Sequence, residues 1–270
     1  MSLVLVTGGT GHLGRDLVDR LVQTGHHVRV FSRSGQARAD VEWAVGDLAT
    51  GQGLQAALNG VQVVVNAATH SPIARRGGFR PIDFFRSPAA VDVEGTARLL
   101  AFSHDAGVQH VLHVSIVGLD EATLPYARVK LAAEQLVRQS PVSWSVVRAM
   151  PFHYLVEDLL AGISGLPVWP IPRVTLNPVD TSDVADYLVR CAFDEGRGMR
   201  AEIGGPDELS LVEIARQYQS ACDLRRIILP VPLSDKAARG MGFVLSQGVR
   251  GTLSWADWLK QASAHRRSAA

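Results

Sequence analysis

A buried-strand pattern, Leu3-Val4-Leu5-Val6-Thr7, runs directly into Gly8-Gly9-Thr10-Gly11-His12-Leu13-Gly14, where three of the glycines are spaced three residues apart. Few folds accept that order. A strand that turns on glycines into a helix is the opening of a dinucleotide-binding unit. Gly8 lets the chain turn sharply, Gly11 lets backbone N–H groups approach a pyrophosphate, and Gly14 lets the helix pack closely on the strand. Thr10, His12 and Leu13 stand between these glycines and are expected to line the same phosphates. The next segment, 15–24, has Leu17, Val18, Leu21 and Val22 at helical spacing and stops at Gly25. Strand, glycine turn and helix therefore follow in the required order, a stronger signal than glycine spacing alone.

The alternation continues along the chain. Apolar, β-rich segments at 28–31, 41–45, 61–66, 108–115 and 144–148 are separated by helical patterns at 53–59, 88–106 and 127–139, ended by Gly60, Gly107 and Ser140-Pro141. This βαβ rhythm predicts an α/β fold, a Rossmann-type doubly wound parallel sheet. After residue 150 the rhythm breaks into proline-rich stretches, followed by a helix over 181–193 and a short strand at 201–203. The expected organisation is a dinucleotide-binding core of 1–149 and 177–204. A small C-terminal substrate lobe of 150–176 and 205–262 would lie over the carboxyl ends of the strands, and 263–270 would be a frayed tail.

Composition narrows the function classes. The formal charge of the 270-residue chain is +1, and no basic run exceeds two residues, which argues against the sustained phosphate contacts of a nucleic-acid binder. Cys191 and Cys222 have neither metal-ligand spacing nor the density of a secreted disulfide framework. No apolar run approaches the roughly 20 residues of a membrane span, and Met1-Ser2 leads straight into the first strand. The expectation is a soluble cytoplasmic protein, monomer or homodimer, that acts on a small molecule and has no nucleic-acid or membrane partner.

Several residues carry candidate chemistry. The second strand ends Val30-Phe31-Ser32-Arg33-Ser34 and lacks the acidic residue that would hold a ribose 2′-hydroxyl. Arg33 could instead hold a 2′-phosphate, which favours NADP(H) over NAD(H); the plainer reading is a solvated loop arginine. Asp47, followed by Leu48, is placed to accept a hydrogen bond from an adenine amino group or to cap the next helix. The small residues of Asn66-Ala67-Ala68 would let a cofactor lie close to the fourth strand. Tyr126 and Lys130 are one helical turn apart and share a face, and an ammonium beside a phenol favours the phenolate, as a general acid/base requires. Ser115, at the end of the fifth strand, could orient a substrate carbonyl. His70, Met150, Phe152 and His153 are candidates for the substrate pocket, and the segment 70–87 for a lid or subunit contact. His110 and His113 lie three apart on a strand and point to opposite faces, so no metal site is expected.

Together these residues resemble the short-chain dehydrogenase/reductase superfamily, whose G-x-x-G-x-x-G loop, fifth-strand serine and Y-x-x-x-K match Gly8, Gly11, Gly14, Ser115, Tyr126 and Lys130. The segments HVSIVG, YARVKLAAEQLV, VVRAMPFH, NPVDTSDVA and EIGGP resemble its atypical, NmrA-like NAD(P)-binding branch over most of 1–206. The resemblance implies an NADP(H)-dependent oxidoreductase that moves hydride between nicotinamide and a carbonyl or other activated double bond. Tyr126 would transfer the proton, Lys130 would hold the nicotinamide ribose, and Ser115 would bond the reacting oxygen. The alternative is a non-catalytic protein that senses NADP(H). Two positions depart from the pattern: Asp92 stands where related extended reductases usually carry asparagine, and Ser115 is only eleven residues before Tyr126.

Overall fold

The computed structural model describes residues 1–36, 38–69, 89–120, 125–234, 244–245 and 247–268. Its centre is a sheet built from β1 (Leu3–Thr7), β2 (His27–Ser32), β3 (Glu42–Val45), β4 (Val63–Asn66), β5 (His110–Ile116), β6 (Trp144–Ala149), β9 (Gly198–Met199), β10 (Ile203–Gly204) and β13 (Val249–Arg250). The strand order is β13-β10-β6-β5-β4-β1-β2-β3, with β9 also on β6, and every pairing is parallel. The chain therefore winds outward from β1 in both directions. Thr7 at the end of β1 lies opposite Asn66 at the end of β4, and that reversal point is where open α/β sheets bind ligands.

Strand side chains alternate between the two faces. Val4 and Val6 join a core with Leu17 and Leu21 of α1 (His12–Gln23) and Val184 and Leu188 of α6 (Thr181–Phe193). On the other face Leu5 and Val64 join Leu54 of α2 (Leu54–Ala57), Leu99 of α3 (Thr96–Asp105) and Val137 of α4 (Pro125–Arg138). Leu17 and Leu21 are fully buried, and burying each contributes about 1.5–3 kcal/mol relative to exposure. α6 begins where Asp180 accepts a hydrogen bond from the Ser182 N–H at 2.9 Å, a cap worth roughly 0.5–2 kcal/mol. A π-helical turn, Ala90–Gly95, precedes α3; helical periodicity alone does not distinguish it from α-helix.

A smaller unit packs around Trp169 and Trp255, with Val156, Leu160, Ile214 and Leu259 in the same core. It comprises α5 (His153–Gly162), β7 (Val168–Pro172), β8 (Thr175–Leu176), β11 (Leu209–Ser210), α7 (Leu211–Ala221), β12 (Ile227–Val231) and α8 (Trp255–Ser268). β7 pairs with β12 in parallel and β8 with β11 antiparallel. Within 205–262, β13 pairs with β10 of the main sheet, and α8 runs through Ser268.

Candidate functional site

The glycines of the first turn do different work. Gly8 has φ +75°, and a Cβ there would stand 2.7 Å from the Ala67 carbonyl carbon, while a Cβ on Gly14 would stand 2.1 Å from the Gly8 carbonyl oxygen. Those two glycines are required by the protein's own packing. Gly11 is not: its φ of −78° suits any residue, and a Cβ would meet only the Gly8 oxygen at 3.4 Å. Gly11 caps α1 without a side-chain hydrogen bond, so the first-turn N–H groups, with the positive end of the helix dipole, remain available to an anion. A nicotinamide dinucleotide fits here, because its pyrophosphate explains a glycine that the fold alone does not. Thr10 and His12 are exposed beside this loop, and the Leu13 side chain is buried beneath it.

At the end of β2, Arg33 is exposed and forms no ion pair among the described residues. Arg38 contrasts with it, held by Asp40 at 2.8 Å and Asp19 at 2.5 Å. Asp47 does not cap α2, whose N-cap is Gly53. One of its carboxylate oxygens accepts from the Ala49 N–H at 2.9 Å, closing a local turn, and the Leu48 side chain is buried in the core below. Asn66 is also engaged within the protein. It accepts from the Thr7 hydroxyl at 2.7 Å and donates to Thr96 Oγ1 at 3.1 Å, and its Nδ2 lies 3.1 Å from His113 Nδ1. Ala67 and Ala68 remain half-buried at the strand end.

Pro125 opens α4, where its missing N–H costs nothing, and the helix carries Tyr126 and Lys130 on one face. The Lys130 ammonium lies 6.0 Å from the Tyr126 ring centroid and 2.7 Å from Asp92 Oδ1, both ion-pair side chains being 5% exposed. Asp92 also accepts from the Thr69 hydroxyl at 2.9 Å. Burial works against the Lys130 charge, but Tyr126 and Asp92 outweigh it and hold the ammonium above its ordinary range. His113 borders the same cluster. Burial and then Lys130 push it down to about 3 against the pull of Asp92, so it is neutral. Because Asn66 donates to Nδ1, the proton sits on Nε2, which is buried without a partner among the described residues.

Ser115 departs from its expected role. It is buried, and its hydroxyl donates to Glu134 Oε2 at 3.0 Å. Arg148 grips the same carboxylate through Nε at 3.0 Å and Nη2 at 2.8 Å, and reaches Asp120 through Nη1 at 2.6 Å. The serine thus belongs to a buried ion-pair network. Two pocket candidates also move into packing. Met150 is 1% exposed in the main core. His153, equally buried, places Nε2 2.9 Å from the Pro178 carbonyl and its ring 5.7 Å from Trp255 and 5.6 Å from Trp258. Phe152 is half-buried, its ring 5.7 Å from Tyr154. His70 and the segment 70–87 lie outside the described residues. Tyr154, two residues past Phe152 in the same stretch after the sixth strand, stacks on His12 at 4.1 Å.

Residues 8–195 match the family model described as NAD(P)H-binding. The chain belongs to that family. Its motifs resemble those of the atypical, NmrA-like branch of the short-chain dehydrogenase/reductase superfamily. It is 26% identical over 196 residues to the photosystem II assembly factor Ycf39 of Cyanophora paradoxa, covering 69% of this chain and 58% of that protein. It is 35% identical over 159 residues to a 3β-hydroxysteroid dehydrogenase/Δ5→4-isomerase of Mycobacterium tuberculosis, covering 51% of this chain and 42% of the relative. The chain thus spans about half the length of the curated relatives it matches. An Agrobacterium tumefaciens short-chain dehydrogenase/reductase superfamily protein with bound NAD shares the fold, with TM-score 0.74 at 20% identity over 99% of this chain and 98% of that one. No helix among the described residues is long and apolar enough to cross a membrane.

Proposed function

We propose that this family member is an oxidoreductase that uses NADP(H) in preference to NAD(H) on a carbonyl or other activated double bond of a small organic substrate. One observation carries the reading: Tyr154 stacks on His12 of the glycine turn and is also an electrostatic neighbour of Tyr126. The phosphate cradle and the proposed acid/base phenol thus have Tyr154 as a common neighbour. When bound, the cofactor supplies or accepts the hydride. The α1 N-terminus receives the pyrophosphate and Arg33 the 2′-phosphate. Tyr126 transfers a proton to or from the reacting oxygen. Lys130, anchored by Asp92, holds the nicotinamide ribose with its remaining N–H groups and keeps a positive charge beside the phenol. The two free cysteines suit a cytoplasmic protein, acting as monomer or homodimer on small molecules.

A second reading is a non-catalytic NADP(H)-sensing protein. It is favoured by the diversion of Ser115 to Glu134 and by the similarity to an assembly factor. The deciding experiment titrates NADPH and NADH, then screens ketones, aldehydes and quinones for NADPH oxidation. Tyr126→Phe is expected to lower turnover by about 10²–10⁴ with cofactor affinity retained. Unchanged turnover removes the tyrosine from the mechanism, and tight NADPH binding with no turnover across the screen selects the sensing protein.

A further inference from the structure

Arg148 stands on β6, paired in the sheet with Ser115 of β5, and its guanidinium is used on two edges at once. Nε and Nη2 donate to the two oxygens of Glu134 at 3.0 and 2.8 Å, and Nη1 and Nη2 donate to the two oxygens of Asp120 at 2.6 and 3.2 Å. Charge balance needs only the first pair. Glu134 is wholly buried and neutralises the arginine, whereas the Asp120 side chain is 67% exposed and a third carboxylate, Glu202, stands 3.9 Å from Nη1. What Glu134 and Asp120 have in common is α4. Glu134 follows Lys130 and Tyr126 by one and two helical turns on the same face, about 12 Å along the axis from Tyr126. Asp120 lies just before Pro125, which opens that helix. One guanidinium rooted in the sheet therefore grips both α4 and the chain that leads into it.

We propose that Arg148 is a positioning residue for proton transfer: by holding Glu134 and Asp120 together it sets the place of α4 on the sheet, and with it the place of the Tyr126 hydroxyl. The proposal rests on the oxidoreductase reading and gives Arg148 no contact with substrate. Its side chain is 10% exposed, and four of the five N–H groups of a guanidinium are engaged in the hydrogen bonds to Glu134 and Asp120. Arginine suits this task because its planar fork fixes direction as well as distance at each carboxylate, which an ammonium does not. Lys130 is held separately, by Asp92 of the π-helical turn. Loss of the Arg148 grip thus leaves the ammonium anchored while the first turn of α4, with Tyr126, loses a support. A displacement of about 1 Å at an acid/base group is enough to slow turnover by about 10²-fold.

Two variants remove the grip in different ways. Asp120→Ala breaks an exposed pair, so the thermal midpoint should move by no more than about 4 °C, while kcat on a carbonyl found in the screen should fall about 10-fold. Arg148→Met combined with Glu134→Leu removes the whole grip and leaves no buried charge unpaired; kcat should fall about 10²-fold, with NADPH affinity, set at the α1 N-terminus, retained. Uniform 3-fluorotyrosine labelling reads position directly. The ¹⁹F signal assigned to Tyr126 through Tyr126→Phe should shift in both variants, and those of Tyr187 on α6 and Tyr218 on α7 should stay in place. A merely structural role would change melting and leave kcat and the Tyr126 signal alone. Wild-type kcat in either variant overturns the proposal and spares the oxidoreductase reading, as does a fall in kcat with an unmoved Tyr126 signal. If the wild-type protein turns over no carbonyl across the screen, the oxidoreductase reading fails and the proposal falls with it.

Discussion

The two sides of the candidate site are built on opposite plans. At the glycine turn, polar groups face outward: Gly11 has room for a side chain it does not carry, the α1 N-terminus has no side-chain cap, and Arg33 has no ionic partner among the described residues. Around α4, charges face each other: Lys130 is bound to Asp92, and Glu134 to Arg148, with Ser115 donating to the same Glu134 carboxylate. Unpaired groups leave a need that a ligand can meet, whereas paired groups serve the fold first and touch a ligand only with what is left. A motif match cannot tell these apart, because it records which residues are present and not which atoms they already hold.

That contrast can be tested by breaking each side in turn. The largest difference is expected within the glycine turn itself. Gly14→Ala forces a Cβ against backbone, and the loss should exceed the ~1–3 kcal/mol typical of overpacked cores. Gly11→Val should keep stability within about 0.5 kcal/mol and abolish NADPH binding; thermal melts and a fluorescence titration on both variants check this, and a Gly11→Val protein that binds normally sinks the cradle. On the paired side, Arg148→Met leaves Glu134 buried and uncompensated, a change of about 3–5 kcal/mol, and adding Glu134→Leu should recover most of it. Urea unfolding of the single and double variants reads the difference, and no recovery would mean that the network does more than balance charge. Arg33→Ala should weaken NADPH binding by about 1.5–3 kcal/mol and leave NADH alone; equal losses would tie Arg33 to the adenine or the fold.

The smallest effect concerns His113. Its folded value of about 3 lies below the ordinary range, near 6.5 for histidine, so the unfolded chain binds the proton more readily. Its contribution is therefore complete above pH ~6.5 and is lost as pH falls toward 3, by up to about 1.4 kcal/mol per pH unit. Urea midpoints at pH 7.5 and 5.5 should fall more steeply in wild type than in His113→Asn, and parallel slopes would place the acid sensitivity elsewhere.

The sheet and its helices were legible because they repeat. Valine-rich strands and helices closed by Gly60 and Gly107 announce themselves locally, and the helix read at 181–193 is Thr181–Phe193 in the structure. Side-chain neighbours were legible only where they are near in sequence, as Lys130 is to Tyr126. The partner that claims Ser115 is 19 residues away. The ring that packs on His153 comes from Trp255, across the whole small unit. The helix-cap reading of Asp47 failed differently: an Asx turn and a helix cap use the same carboxylate, and only the backbone decides between them. Tyr154 stands locally beside Phe152 and His153, but the ring it stacks on, His12, lies near the start of the chain.

The last strand to join the main sheet, β13, reaches it from the small unit: the Val249 N–H donates to the Glu202 carbonyl at 2.8 Å and the Gly251 N–H to Gly204 at 2.7 Å. During synthesis, then, β10 waits with an open edge while more than forty residues emerge, since Gly204 and Val249 are that far apart in the chain. An unpaired parallel edge is the surface on which nascent chains associate wrongly. The small unit thus acts late in biogenesis as the closure of the sheet, and the two parts of the molecule become one folding unit only when that strand arrives.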